Sequence, residues 1–326
     1  MMKHGDFTGL AADYARFRAG YAPQVTTAIL NYVGRDPAGI DAADIGAGTG
    51  IWTRTLAARG LHSVAAVEPN DDMREQGIET SRGANIVWHK GSAEATGLPD
   101  GSADLVTMAS SLHWADFDNA CDEFHRILRP GGVFAALWNP RLIEANPLLV
   151  EIEAQITRLK PDLRRVSSGR SGITERLTDL LSAKPQFAEV LYLEARHSLR
   201  QTPEQYIGAW RSVNDLQVQL GPELFRQFLD FTEKRIAGLT AIETTYLTRA
   251  WAALRALGAQ RRPGNLDVDT GEIGGPRPDL RGLQQGGGRR QGRQRGSRGS
   301  RRGGAQTRRR RESGRAARGR GTGADG

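Results

Sequence analysis

A glycine-dense loop, Asp44-Ile45-Gly46-Ala47-Gly48-Thr49-Gly50, lies between a short apolar run and a segment with helical character. Its three alternating glycines permit positive φ angles and let a ligand approach the backbone closely. A helix that begins near Thr49 would direct free backbone N–H groups at that ligand. The loop is therefore typical of nucleotide binding, although any tight turn from a strand to a helix can have the same glycine spacing.

An acidic residue, Glu68, ends the next apolar run and stands 18 positions after Gly50, and Pro69 stops that run from continuing as a strand. In a strand-helix-strand unit this spacing places a carboxylate at the tip of the adjacent strand, where it accepts both hydroxyls of a bound ribose. An exposed glutamate at a strand end is a common alternative. The preceding glycine loop favours the ribose-binding interpretation.

Two further segments could complete a nucleoside site. Met73 lies on the first turn of a predicted helix over 71–80, where it could cover an adenine face. Packing in the hydrophobic core is an equally good explanation of a methionine at this position. The loop that carries Ala93 and Glu94 follows a short predicted strand over 86–89 and could offer backbone N–H groups to an adenine edge.

One histidine near these segments could serve as a proton acceptor. Of the six histidines, only His113 follows a predicted buried strand, over 104–109, and it lies between Ser110 and Trp114. A histidine there could act as a base for a hydroxyl or ammonium acceptor. It could equally pack or hydrogen-bond without taking a proton. Trp114 and Trp138 could face the ligands, although core packing suits Trp138.

The strands and helices that must position these residues alternate. Five predicted strands, near 40–45, 63–67, 86–89, 104–109 and 133–138, are separated by helices, a pattern that predicts a parallel, doubly wound α/β sheet. Ligands of such sheets bind beyond the carboxyl ends of the strands. The glycine loop, Glu68, Ala93 with Glu94, and Ser110 to Trp114 are four successive strand ends, so we expect them to share one crevice.

Flanking segments are predicted to cover this crevice. Residues 7–34 read as a helical entry segment in which Tyr14 and Arg18 either pack on the sheet or form a lid. Asp118 is a plausible N-cap for a helix over 119–128, which the Pro130-Gly131-Gly132 run would end. From residue 139 the pattern is mostly helical, with strand-like runs near 187–197 and 242–254, as expected of a cap that shapes a substrate pocket.

Other classes of site find little support in the sequence. The histidines show no spacing typical of a metal site, with one another or with Cys121. Cys121 reads as a buried apolar residue, and a single cysteine excludes an intrachain disulfide and suits a reducing compartment. The start has no apolar signal region, and the longest apolar run is too short to span a bilayer. We expect a cytoplasmic protein, a monomer or a homodimer, without a membrane or a metal.

Taken together, the motifs over about residues 7–140 resemble the class I S-adenosylmethionine-dependent methyltransferases. The similarity is to the type 11 group, which includes the ubiquinone/menaquinone and trans-aconitate methyltransferases. The region after residue 141 matches more loosely, through Ser212 and residues 244–249. Two departures are Ser92, where many members have aspartate, and Ala43, where a large apolar residue is usual. The matching stretches are 14–21, 44–50, 67–69, 91–94, 98–102, 112–114 and 129–132.

This resemblance implies a seven-stranded, mostly parallel Rossmann-like sheet whose last strand is antiparallel, and S-adenosyl-L-methionine as the methyl donor. It implies that Gly46 and Gly48 line the methionine portion, that Ala93 and Glu94 meet the adenine, and that Ser110 lies near the amino acid end. The expected acceptor is a small molecule of secondary metabolism, methylated on an oxygen, a nitrogen, a carbon or a carboxylate. A fold that binds the donor but has lost catalysis or serves other chemistry is a further alternative. The residues expected to hold the donor are Tyr14, Arg18, Asp44, Gly46, Ala47, Gly48, Glu68, Pro69, Met73, Ala93, Glu94 and Ser110.

The net charge of +8 belongs to the last part of the chain. Residues 260–326 contain 18 arginines, no lysine and six acidic residues, whereas the preceding part has 27 basic and 31 acidic residues. The segment has no aromatic residue and cannot bury a core, so a disordered tail is predicted. Its Arg-Gly pairs could bind RNA phosphates, which leaves an RNA-binding protein or RNA methyltransferase as the rival function. A gene translated out of frame after the last strand is a further alternative.

The expected organisation is therefore a donor-binding core over 1–140, a helical cap with the last two strands over 141–258, and a tail over 259–326. The part of the chain before residue 260 is mildly acidic, which argues against nucleic acid as a partner except through the tail.

Overall fold

The computed structural model describes residues 9–164 and 172–257. The predicted tail lies outside the described residues. The strands are β1 (Asp41–Ile45), β2 (Ser63–Val67), β3 (Ile86–His89), β4 (Ala103–Ala109), β5 (Leu128–Trp138), β6 (Phe187–Gln201) and β7 (Ile242–Arg255). The helices are α1 (Ala11–Phe17), α2 (Pro23–Val33), α3 (Ile51–Ala57), α4 (Asp71–Thr80), α5 (Phe117–Ile127), α6 (Pro147–Leu159), α7 (Leu177–Ser182), α8 (Pro203–Arg211) and α9 (Asn214–Ile236).

The strands of the described part form one sheet in the order β3-β2-β1-β4-β5-β7-β6. Strands β1 to β5 are parallel to one another, whereas β7 runs antiparallel to both β5 and β6. The predicted seven-stranded, mostly parallel sheet is confirmed. The strand order reverses between β1 and β4, and ligands of open α/β sheets bind at such a switch point.

Two apolar layers cover the sheet, one on each face. On one face Phe124 of α5 packs against Phe134 of β5, with ring centroids 4.8 Å apart. On the other face Ile29 of α2 and Trp52 of α3 cover the sheet. The small residues of β1 are divided between the layers, with Ala42 in one and Ala43 in the other. Because both faces are covered, β1 is buried from Ala42 to Ile45 despite its short side chains.

A third apolar cluster joins the helices that follow β5. Ile152 of α6, Trp210 of α8 and Phe228 of α9 are buried in it, and it forms the predicted helical cap. Helix α9 is kinked at Gly221, where φ is 69°, and Pro222 follows the kink. The cap thus has a core of its own.

Two boundaries differ from the sequence-based expectation. Helix α5 begins at Phe117, and its N-cap is Asp116, whose carboxylate accepts from the backbone N–H groups of Asp118 and Asn119. The predicted Asp118 cap was therefore wrong by two residues. The Pro130-Gly131-Gly132 run lies within β5 instead of ending the helix, which already ends at Ile127.

Candidate active site

A cavity of about 300 Å³ opens at the carboxyl ends of β1 to β5. It is lined by the glycine loop after β1 and by residues that follow β2, β3, β4 and β5. The four strand ends predicted to share a crevice therefore meet at one cavity, together with the end of β5. The predicted site residues that line it are Tyr14, Arg18, Gly46, Ala47, Gly48, Glu68, Pro69, Met73, Ala93, Glu94, Ser110 and His113.

The glycine loop needs its glycines for two separate reasons. Gly46 and Gly48 have φ angles of 65° and 58°, in the left-handed region that L side chains rarely adopt. A Cβ on Gly46 would also lie 2.8 Å from the Cβ of Ser111, so the position has no room for a side chain. The backbone N–H groups of Gly46 and Ala47 both donate to the carbonyl of Val67, at 2.8 and 3.1 Å. The loop is thus bound to the end of β2.

Asp44 is the one predicted site residue that the structure does not bring to the cavity wall. It is fully buried at the end of β1, where its carboxylate accepts from the hydroxyls of Thr53, at 2.6 Å, and Thr107, at 3.0 Å. Burial raises the pKa of Asp44 to about 7, although the two hydroxyl donors oppose that shift. Asp44 therefore joins β1, α3 and β4 beneath the glycine loop.

Glu68 lies at the tip of β2 with its side chain at the cavity wall and only 7% of its surface exposed. Its two carboxylate oxygens accept from the backbone N–H groups of Gly48, at 2.7 Å, and Asn70, at 2.9 Å. Burial raises the pKa of Glu68, and these N–H groups and Arg74 act against the rise. Each carboxylate oxygen has two lone pairs, so acceptor capacity remains for the hydroxyls of a ligand.

The adenine end of the predicted site is formed by side chains that also hold the local structure. Met73 is buried on the first turn of α4, and its backbone N–H donates to the Asn70 side chain at 3.0 Å. Glu94 accepts from the backbone N–H of Asp116 at 2.8 Å, which joins the loop after β3 to the start of α5. Both residues line the cavity, as does the buried Ala93.

The entry segment closes one side of the cavity. The Arg18 guanidinium lies 4.9 Å from the Tyr14 ring centroid and donates from Nη2 to the carbonyl of Ser212 at 3.3 Å. Its buried Nε has no hydrogen-bond partner within the described residues. The Tyr21 hydroxyl lies 2.9 Å from Oγ of Ser110. Ser110 itself has a φ of 57°, a strained conformation of the kind that often occurs at functional sites.

His113 lies in a short 3-10 helix after β4, at the cavity wall and next to two indoles. Nε1 of Trp138 donates to its Nδ1 at 3.4 Å, and the Trp114 ring centroid is 4.5 Å away. Its Nε2 is buried without a hydrogen-bond partner among the described residues. Burial lowers the pKa of His113 to about 4, against an opposing effect of Asp215. The imidazole is therefore neutral at pH 7.

Several lining residues were not predicted as site residues. Tyr21 and Asn139 were recognisable by position, because Tyr21 ends the aromatic entry motif and Asn139 follows β5 as Ser110 follows β4. Arg141, Glu153 and Tyr246 come from the segment after β5, from α6 and from β7. No local pattern marks these three, because only the packing of the cap and β7 brings them to the cavity.

The lining fits an adenosyl sulfonium in its donor set. The glycine cradle admits close approach, Glu68 presents a carboxylate, and the buried Nε of Arg18 is an unsatisfied donor. Within the described residues, no cluster of three or more histidine, cysteine or acidic side chains could hold a metal ion. No described helix is both long enough and apolar enough to cross a membrane.

Comparison with known proteins agrees with this geometry. Residues 43–136 match a family described as Methyltransferase domain. An uncharacterized methyltransferase of Mycobacterium tuberculosis is 36% identical over 137 residues, which are 41% of this chain and 52% of the relative. The ubiquinone/menaquinone biosynthesis C-methyltransferase UbiE of Rubrivivax gelatinosus is 37% identical over 102 residues, 31% of this chain and 39% of that protein.

A solved structure described as a "putative type II methyltransferase" from Anaeromyxobacter dehalogenans superposes with a TM-score of 0.52. It is 24% identical and covers 73% of this chain and 98% of its own, a likeness that shows the fold. The chain spans about half the length of the mycobacterial relative that it matches. The predicted resemblance is confirmed over residues 43–136, which match the methyltransferase domain family.

Proposed function

We propose that this chain, which contains a methyltransferase domain over residues 43–136, transfers a methyl group from S-adenosyl-L-methionine to a small-molecule acceptor. The observation that carries the proposal is the meeting of five strand ends at one cavity, which Gly46, Gly48, Glu68 and His113 line together. When bound, the donor supplies an electrophilic methyl group on a sulfonium.

The chain's own residues then have three tasks. Gly46, Gly48 and Glu68 bind the donor, Glu68 by accepting from the ribose hydroxyls in addition to its two backbone donors. Arg18 offers a guanidinium to the donor's carboxylate, since its Nε lacks a partner in the described part of the chain. The cap excludes water and holds the acceptor in line with the methyl group, which is the main source of acceleration for a reactive donor.

His113 is the proposed proton acceptor for a hydroxyl or ammonium nucleophile. Because its pKa is near 4, the unprotonated form that a base requires is fully populated at pH 7. The alternative role is that Nε2 donates a hydrogen bond to the acceptor and takes no proton. Acceptors that are already nucleophilic need only this second role.

Direct binding tests the donor assignment. Titration calorimetry with S-adenosylmethionine and S-adenosylhomocysteine should give heat, and both ligands should raise the melting temperature. Glu75, exposed on α4, supplies the matched control, because Glu75→Gln should bind both ligands normally whereas Glu68→Ala should not. Absence of both heat and thermal protection with the unaltered protein would contradict the proposal.

The division into a core over 1–140, a cap over 141–258 and a tail over 259–326 remains part of the proposal, as do a cytoplasmic location and a monomer or homodimer. Truncation after residue 258 tests the rival RNA function. We expect the shortened chain to keep donor binding and turnover of a small acceptor. Loss of turnover together with loss of RNA binding would favour the rival.

A further inference from the structure

A guanidinium at the cavity wall, that of Arg141, forms no ion pair with any carboxylate of residues 9–164 and 172–257. The residue follows β5, whereas Glu68 follows β2, and β1 and β4 lie between these two strands. Three strand spacings amount to about 14 Å. Arg141 therefore lies on the half of the cavity that the donor's ribose does not occupy.

The surroundings of Arg141 hold it in one orientation. Its Cζ lies 3.9 Å from the centroid of the Trp210 ring on α8. Its backbone pairs with Tyr246 of β7, and the flanking Leu142 N–H donates to the carbonyl of Thr245 at 2.8 Å. A guanidinium stacked by its face keeps the N–H groups along its edge available to a ligand in its own plane.

Within the described residues, the guanidinium of Arg141 has no ion-pair partner within 4 Å, although the charge of Glu153 acts on it. Burial works to lower the pKa of Arg141, but Tyr246, Tyr206 and Glu153 outweigh it and leave the pKa raised. The side chain is thus permanently charged although partly buried. A desolvated charge is costly unless a counterion pairs with it. A carboxylate matches the geometry of the guanidinium edge and can accept two parallel hydrogen bonds from it.

A carboxylate suits this site better than a phosphate does. Arg141 and Arg18 are the arginines that line the cavity within the described residues, and Arg18 already lies against Tyr14 in the entry segment. Glu153 lines the same wall as Arg141 and contributes a negative charge. With one positive charge beside one acidic residue, this wall is close to neutral, so it tolerates a monoanionic group better than a phosphate monoester, which carries nearly two charges at pH 7.

We infer that Arg141 binds a carboxylate of the acceptor, so that the acceptor is a small organic acid. The methyl-transfer part rests on the proposed function, but the anion site does not. A carboxylate held after β5 places the rest of the acceptor beside His113 and Trp114, which follow the neighbouring strand β4. The acid would thereby be oriented across the switch point, with its nucleophile toward the donor side.

The experiment measures binding first and turnover second. Short mono- and dicarboxylic acids, each paired with its neutral amide, are tested by ligand-observed magnetic resonance and equilibrium dialysis in the presence of S-adenosylhomocysteine. At least one acid should bind while its amide does not. Arg141→Gln should weaken the binding of that acid by roughly ten- to a hundredfold, the range for a charge-assisted hydrogen bond. Arg141→Lys should recover part of the loss.

Controls separate this site from folding and from the donor site. Arg158→Gln, an exposed change on α6, should leave acid binding intact. S-adenosylhomocysteine affinity should be unchanged in Arg141→Gln, which shows that the variant is folded. The inference is overturned if no acid binds the unaltered protein, if acids and amides bind equally, if inorganic phosphate binds better than any acid, or if Arg141→Gln binds acids normally.

The turnover arm then separates this inference from the proposed function. Acids that bind are supplied with labelled donor, and the formation of S-adenosylhomocysteine is measured. If acids bind through Arg141 but none is methylated, the anion site stands and the methyl-transfer assignment fails.

Discussion

Trp138 donates its indole N–H to Nδ1 of His113 across 3.4 Å, at the point where β5 ends beside β4. Because Nδ1 accepts this hydrogen bond, the neutral imidazole carries its own proton on Nε2. Nε2 is buried without a partner in the described part of the chain, so it is placed to donate to a ligand. Acting as a base would require His113 to exchange this tautomer for the other.

Substitution of His113 distinguishes a base from a hydrogen-bond donor. If His113 accepts a proton, His113→Ala and His113→Gln should both lower turnover by roughly a hundredfold with little change in donor affinity. If it only donates, His113→Gln should keep most of the activity, because its amide retains an N–H donor. Turnover of both variants equal to that of the unaltered enzyme would refute either role.

The pH dependence of the unaltered enzyme follows from the lowered pKa of His113. Burial lowers that pKa to about 4, so the neutral form predominates above this value and is lost as pH falls through it. We expect the contribution of His113 to kcat/KM to be constant from about pH 5 upward. A profile of kcat/KM measured beside His113→Gln checks this. A fall centred near pH 6.5 that is absent from the variant would contradict it.

Glu68→Gln should weaken donor binding by roughly ten- to a hundredfold. The carboxylate accepts from two backbone N–H groups, of Gly48 and Asn70, and an amide can accept through its oxygen only. Calorimetry with S-adenosylhomocysteine measures the effect, and the exposed Glu75→Gln is the matched control. A lowered melting temperature with unchanged affinity would mean that Glu68 stabilises the glycine loop and does not bind the ligand.

Asp44 should make the free energy of unfolding fall as pH rises. Its pKa is about 7 in the folded protein and near 3.8 when exposed, so the native state binds more protons between these values. Asp44→Asn removes this pH-dependent contribution to the free energy of unfolding. The stability of the variant relative to the unaltered protein should therefore increase from pH 5 to pH 8. Urea unfolding at several pH values tests it, with the exposed Asp162→Asn as control. A difference that does not change with pH would exclude the mechanism.

Gly46→Ala should destabilise the protein more than Gly34→Ala does. Both glycines have a φ near 70°, at 65° and 71°, and the left-handed region costs a residue with a Cβ about 1–2 kcal/mol. Only Gly46 adds a clash, because its Cβ would lie 2.8 Å from that of Ser111, whereas Gly34 has open space. Urea unfolding compares the two variants. Equal losses in the free energy of unfolding would show that Ser111 moves aside without cost.

Gly208 on α8 should be sensitive to substitution although alanine favours helices. A Cβ there would lie 2.4 Å from the ring of Phe17, so Gly208→Ala should displace α1 and loosen the entry segment that carries Arg18. We expect faster proteolysis of this segment and weaker donor binding. The double variant Phe17→Ala with Gly208→Ala should recover part of the lost donor binding. An unaffected single variant would show that α1 does not depend on this contact.

Elements with local boundary signals were predicted closely. Helix α4 matches its predicted range because Asn70 caps it, and β2 stops where Pro69 prevents continuation. The start of α5 was misplaced because Asp116 and Asp118 are both good capping residues, and only the folded backbone selects the first. Chain-local signals therefore locate an element and leave its exact end to tertiary packing.

The sequence by itself determined the sheet, its glycine loop and the strand ends that meet at the cavity, since hydrophobic periodicity and turn residues act over a few positions. The tertiary structure decided that Asp44 lies beneath the cavity and that Arg141, Glu153 and Tyr246 line it. It also decided the tautomer of His113 through Trp138. These facts depend on contacts between residues far apart in the chain, and no local pattern encodes them.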